Sequence, residues 1–176
     1  EPRLYFVYAV VDRADVVHES NETDNVRTSA IVGQAGSCVT KLEFADPLAY
    51  PADAATVSVS AGGTVHPTVV ATCAPAGTLY LIVWGCSGTS PGTQLTPGFT
   101  VPINQDFYTQ LGLGAVNGSW FQGFLGVLDA QGRGNATFSL PAATGLTATP
   151  GNFAALLVDP VLGFSDVSNA VSITLQ

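Results

Sequence analysis

Two stretches decide how this chain reads: "FVYAVVDRADVVHESNETDNVRTSAIV" at residues 6–32 and "FAALLVDPVLGFSDVSNAVSITL" at 153–175. Each opens on an apolar strand ending in Val-Asp, crosses a variable stretch, and reaches Ser-Asn before an alternating strand. Both have the pattern of the closing hairpin of a β-sandwich. Their Asn and Asp side chains are expected to bond nearby backbone N–H groups and fix the turn into the last strand.

Strand signals fill the space between them, separated by Gly and Pro at the short intervals of an all-β protein. They include "CVTKLEF" (38–44), "ATVSVSA" (55–61), "TVHPTVVATC" (64–73), "TLYLIVWGC" (78–86), "WFQGFLGVLD" (120–129) and "GNATFSLP" (134–141). Only "NQDFYTQLGL" (104–113) has room for a helical turn, and "DAQGRG" (129–134) predicts a tight turn with Gly where φ is positive. Pro67 inside a strand pattern predicts an edge position or a bulge. The expected fold class is all-β: an antiparallel Ig-like β-sandwich preceded by an extra hairpin from an incomplete sandwich. The expected division is a hairpin at 1–33, a linker with a possible first strand at 34–51, and the sandwich at 52–176.

Composition narrows the function classes. Hydrophobic residues make up 47% and charged residues 10% of the 176, and the net charge is -8. An acidic chain is a poor partner for nucleic acid or anionic membranes. No 18-residue apolar run predicts membrane insertion. A chain without Met predicts a processed mature protein, a proteolytic fragment or an incomplete sequence. Low charge with abundant Thr, Ser, Gly, Ala and Val points to an extracellular or cell-surface protein.

Three cysteines, Cys38, Cys73 and Cys86, permit one disulfide. If Val65–Cys73 and Thr78–Cys86 form a hairpin around "APAG", Cys73 and Cys86 lie roughly 25 Å apart at the rise of a strand. That is far beyond bridging distance. The expectation is Cys38 bridged to Cys73 or to Cys86, with three buried thiols as the alternative.

No catalytic set emerges. "GCSGTS" (85–90) departs from Gly-x-Ser-x-Gly because position 89 is Thr, and Pro91-Gly92 follows with a turn rather than a helix. His18 and His66 are the only imidazoles, and neither has a Cys or His at metal spacing. The expectation is therefore no enzyme and no cofactor. One weak ion site stands out: Asp12, Asp15, Glu19, Asn21, Glu22 and Asp24 are hard oxygen donors suited to Ca²⁺, although they lack the order of a dedicated loop and a solvated turn that discourages aggregation is the favoured reading. Tyr80, Trp84, Trp120, Phe121 and Phe124 suggest either a sugar-stacking platform or core.

At these residues two resemblances become specific. "YFVYAVVDRADVVHESNETDNV" (5–26) resembles the closing strands of the CARDB family, adhesion-related Ig-like domains of bacterial surface proteins. Residues 52–176 resemble an uncharacterised C-terminal sandwich module of large secreted bacterial proteins. The residues that carry this are "SAGGTV" (60–65), "AGTLYLIVWGCSGTSPG" (76–92), "FLGVLDAQGRG" (124–134) and "SNAVSITL" (168–175). The resemblance implies secretion and a non-catalytic role.

The expected function is a secreted structural or adhesive module. Its partners would be other copies of itself or surface proteins. The nearly continuous apolar run 4–11 calls for burial, with Leu4, Phe6, Tyr8 and Val10 as the assembly face, so strand addition by the hairpin would build an extracellular filament. The alternatives are a glycan- or calcium-binding module and an accessory domain cleaved from a secreted hydrolase.

Overall fold

The structure is a computed structural model and describes residues 5–10, 26–31, 38–45, 52–144, 146, 148–159 and 163–176. The chain divides into two compact units, Glu1–Ser37 and Cys38–Gln176. In the first, β1 (Tyr5–Val10) and β2 (Val26–Ile31) pair antiparallel, with Tyr5 opposite Ile31 and Val10 opposite Val26. The second unit begins with β3 (Thr40–Phe44), β4 (Ala54–Val57), β5 (Gly63–Val65), β6 (Pro67–Ala71) and β7 (Leu79–Gly85). It continues with β8 (Thr93–Thr96), β9 (Phe99–Val101), helix α1 (Phe107–Gly114), β10 (Phe121–Gln122), β11 (Leu125–Val127) and β12 (Arg133–Asn135). Last come β13 (Thr137–Leu140), β14 (Pro150–Asp159), β15 (Gly163–Val167) and β16 (Val171–Leu175).

The architecture is all-β and sandwich-like. A six-stranded sheet runs β11-β7-β14-β16-β4, with β15 also on β14. Opposite lie two three-stranded sheets, β12-β6-β3 and β10-β13-β5. Among the described residues the strand ladders are antiparallel except β16–β4, which is parallel. That pair departs from the uniformly antiparallel expectation, because β4 enters the sheet from a distant part of the chain.

The run "PGNFAALLVD" explains the layering. A strand buried on both faces is apolar without alternation. Phe153, Ala155 and Leu157 of β14 join the large core between the sheets, whereas Ala154 and Leu156 join Val83, Val101 and Ile103 on the outer face. The antiparallel ribbon β8–β9 contributes Val101 to that outer layer. By contrast β16 alternates: Val171, Ile173 and Leu175 are buried, and Ser172 and Thr174 are exposed. In the large core, the Trp84 ring lies 5.1–6.4 Å from the rings of Tyr108, Phe121, Phe138 and Phe153. Burying each such ring stabilises the fold by roughly 1.5–3 kcal/mol.

Several local expectations are corrected. The strands β6 and β7 do not form a hairpin: β6 pairs with β3 and β12, and β7 with β14 and β11. Consecutive strands here cross between sheets, so both stretches find partners elsewhere. Pro67 sits on the central strand of its sheet rather than at an edge or bulge. As the first residue of β6 it contributes only a carbonyl, which accepts from the Ala136 N–H at 2.9 Å. The turn at Asp129 does form, with Gly132 at φ +71°. It too links sheets, since β11 pairs with β7 and β12 with β6. The span read as a linker holds β3 within the second unit, whose first residue is Cys38.

The closing stretch behaves differently from a simple hairpin turn. Both β15 and β16 pair with β14, and Ser168 fills the interval between them. Ser168 donates its N–H to the Ala155 carbonyl (2.9 Å) and accepts the Ala155 N–H on its hydroxyl (2.8 Å). Asn169 was expected to bond locally. Its Nδ2 does donate to the adjacent Ala170 carbonyl (3.3 Å), but its Oδ1 also accepts from the Leu42 N–H (2.9 Å) and its Nδ2 donates to the Leu42 carbonyl (3.1 Å). One amide thus serves the edge of β3 as a strand would. Asp166 does both: Oδ1 accepts from the Val167 N–H at 2.8 Å, and Oδ2 from the Thr40 hydroxyl at 2.6 Å.

Candidate functional site

The loop "GCSGTSPG" after β7 wraps around two side chains from the segment leading into α1. Asn104 Nδ2 donates to the carbonyls of Ser87 (2.7 Å) and Ser90 (2.8 Å), and its Oδ1 accepts from the Gly92 N–H (2.9 Å). Asp106 is the N-cap of α1 in a capping box with Thr109. Its Oδ1 accepts the Thr109 N–H (2.9 Å) and hydroxyl (3.1 Å). Its Oδ2 accepts the Cys86 N–H (2.7 Å) and the Ser87 hydroxyl (2.9 Å). Partial burial pushes the Asp106 carboxyl upward, but the N–H groups of Thr109 and Cys86 and the two hydroxyls outweigh it, so the net shift is down. The Cys86 thiol is pushed up to about 12, first by burial and then by the Asp106 carboxylate.

Those shifts decide what the loop can do chemically. Asp106 is a weakened base, and Cys86 stays a protonated, poorly nucleophilic thiol near neutral pH. Ser87 donates its hydroxyl proton to Asp106, and among the described residues no imidazole is recorded as its partner. His66 is on the opposite side of the sandwich, with Nδ1 3.3 Å from the Thr137 hydroxyl. The loop is held as a clamp.

The described residues line two concavities of note. On the outer face of the large sheet, a pocket of about 200 Å³ is floored by Leu81, Val83 and Leu156 and walled by Val101, Ile103 and Phe164. The Thr93 hydroxyl near it is already committed, donating to the Ile103 carbonyl (2.6 Å) and accepting the Gln105 N–H (2.9 Å). The second, about 380 Å³, is a groove between two sheet edges, β4 and β5. Phe44, Ala52, Ala54 and Ala55 line one side, and Thr64, Val65 and His66 the other.

The structure bridges Cys38 to Cys73 and leaves Cys86 free. The two Cα atoms are 5.2 Å apart at the end of the β3–β6 ladder, so register rather than the proposed hairpin geometry brings the sulfurs together. The acidic residues Asp12, Asp15, Glu19, Asn21, Glu22 and Asp24, with Leu4 and His18, lie outside the described residues. Phe6, Tyr8 and Val10 occupy alternate positions of β1, opposite Ala30, Thr28 and Val26. Four of the five aromatics considered for a sugar platform, Tyr80, Trp84, Phe121 and Phe124, are buried in the core. The residues that organise the loop, Asn104 and Asp106, were missed. The Asp106-x-x-Thr109 spacing was the available signal.

Among the described residues no group of three or more His, Cys, Asp or Glu is placed to hold a metal ion. No helix among them is long and apolar enough to cross a membrane. No family model matches the chain, and no curated protein matches it. Among solved structures, a family 123 glycoside hydrolase from Clostridium perfringens shares 6% identity at a TM-score of 0.35, over 78% of this chain and 27% of that one. The chain therefore spans about a quarter of that enzyme's length, and a likeness at this level carries no functional argument.

Proposed function

We propose that this chain is a secreted, non-enzymatic β-sandwich module with a structural or adhesive role, joined to other copies by strand addition from its β1–β2 hairpin. The observation that carries the reading is the hairpin itself. It is a two-stranded sheet in a unit of its own, and two strands alone are marginal in water. Sequence positions 4–11 are apolar throughout, so both faces of β1 call for cover. The CARDB-like reading of this stretch agrees with a surface protein, as does the Cys38–Cys73 bridge, which belongs to an oxidising compartment. A non-catalytic role is supported by the loop after β7, whose Ser87, Asp106 and Cys86 are engaged in holding α1.

Assembly of the full chain and of a chain lacking residues 1–33 is compared by light scattering over a concentration series. The full chain is expected to form long assemblies and the deletion to stay monomeric. A full chain that remains monomeric at high concentration sinks the proposal.

A further inference from the structure

The pocket of about 200 Å³ on the outer face of the large sheet takes its walls from separate parts of the chain. Residues opposed across an antiparallel ladder point to the same face. Leu81 stands opposite Leu156 and Val83 opposite Ala154, so β7 and β14 lay an apolar floor. Val101 of β9 and Ile103 close one side, Thr109 and Leu113 of α1 another, and Phe164 of β15 a third. Bonds outside the pocket hold these walls in place. Asn104 grips the loop after β7, Asp106 caps α1, and Thr93 ties β8 to the Ile103 carbonyl. The concavity is therefore formed before anything enters it. None of its lining residues is charged. Two of the three polar ones have no bonding capacity to spare. The Thr93 hydroxyl donates to Ile103 and accepts from Gln105, and the Thr109 hydroxyl donates to Asp106 Oδ1 (3.1 Å) and accepts the Asp106 N–H (3.2 Å). The third, Gln105, is exposed. At the mouth, Leu95 and Leu113 are left 38% and 43% exposed beside an apolar hollow.

We propose that this pocket binds a small uncharged molecule whose buried part is wholly apolar and about the size of one aromatic ring. The volume sets the size: a dry cavity of about 150 Å³ holds benzene, so about 200 Å³ holds a ring with a short alkyl substituent. The lining sets the chemistry. A sugar ring of similar bulk would carry its hydroxyls out of water to threonines that are already paired, and a buried hydroxyl without a partner is unfavourable. A charged group would lose its hydration with no counter-charge to replace it, and a carboxylate would also meet a chain of net charge -8. An apolar ring has neither cost. It leaves water itself and covers Leu95 and Leu113, so apolar surface is removed from water on both sides of the contact. Nothing in this site involves the β1–β2 hairpin, and it stands whether or not the chain assembles.

The test uses the full chain, in whatever state of assembly it takes, and a phenyl diazirine, an uncharged aromatic probe that labels its surroundings when irradiated. Labelling is expected to saturate with probe concentration and to map by peptide mass spectrometry to the lining segments 81–83, 93–105 and 154–157. Excess toluene is expected to lower it by about tenfold or more, and glucose at the same concentration to leave it unchanged. Leu95→Trp and Leu113→Trp each fill the mouth from an exposed position and replace no buried side chain. Both are expected to cut the saturable labelling by about tenfold or more. Val127→Trp adds the same ring at an exposed residue of β11 outside the pocket and is expected to change nothing. Labelling that rises without saturating, or that spreads over other segments, overturns the inference. So does labelling that yields to glucose as readily as to toluene, or that persists in both mouth variants.

Discussion

Asp106 is the side chain whose loss the geometry prices most clearly. In Asp106→Ala the N-cap of α1 disappears, a change that costs about 0.5–2 kcal/mol. The Cys86 N–H, donated to Oδ2 at 2.7 Å in a half-buried position, also loses its acceptor. An unsatisfied donor of this kind costs about 1–3 kcal/mol. The Ser87 hydroxyl can turn to water, so it adds little. The sum is on the order of 3 kcal/mol, a large share of the 5–15 kcal/mol typical of a domain. For a domain near this size that lowers Tm by roughly 10 °C.

Asp106→Asn separates the two halves of the site. Asparagine caps helices about as well as aspartate, so its oxygen keeps the Thr109 contacts. Its NH₂ group then faces the Cys86 N–H, donor against donor, and about half of the loss remains. The pH dependence follows from the lowered carboxyl. Its stabilisation is fully present above the ordinary aspartate value of 3.8 and fades as pH falls through the lower folded value. Circular-dichroism melts between pH 7 and pH 2 should therefore show a shallower acid dependence in Asp106→Asn than in wild type. If Asp106→Ala melts within 2 °C of wild type at pH 7, or the acid profiles of wild type and Asp106→Asn superimpose, the clamp is not what holds the loop to α1.

Other expectations follow from the same packing. Asn169→Ala strips both partners from the backbone of Leu42, which is fully buried, and should cost about 2–4 kcal/mol in denaturant unfolding; a loss below 0.5 kcal/mol refutes the strand-like role of this amide. Gly134→Ala sets a methyl group 2.7 Å from Cδ1 and Cζ of Tyr80, whose hydroxyl is tied to the Gly123 carbonyl at 2.9 Å, and overpacking should cost roughly 1–3 kcal/mol. A neutral result in a melt would mean that the ring can move. Reducing the Cys38–Cys73 bridge opens a loop of 35 residues and should lower stability by roughly 3–4 kcal/mol, measured by urea unfolding with and without reductant. Cys86 should resist iodoacetamide at pH 8 in the native state and be the sole cysteine labelled in non-reducing denaturant; three labelled cysteines would contradict the bridge.

The sequence discloses what a strand does by itself and conceals what it does with distant partners. Alternation in "VSITL" identifies the buried positions of β16, and the unbroken apolar run of β14 marks a strand covered on both faces. The helix too was visible in its local residues. Partner choice is another matter. Nothing in "TVHPTVVATC" states that β6 avoids the next strand along the chain and lies between β3 and β12. Nor does "ATVSVSA" announce a parallel ladder with the last strand. The same divide runs through the polar residues. The capping half of Asp106 spans three residues and was readable in principle, whereas its hold on Cys86 spans 20 and the grip of Asn169 on Leu42 spans 127. Closing loops of such length is repaid only when the whole core assembles. Side chains of this kind read as turn formers in the sequence because turns are the only partners a local pattern can see.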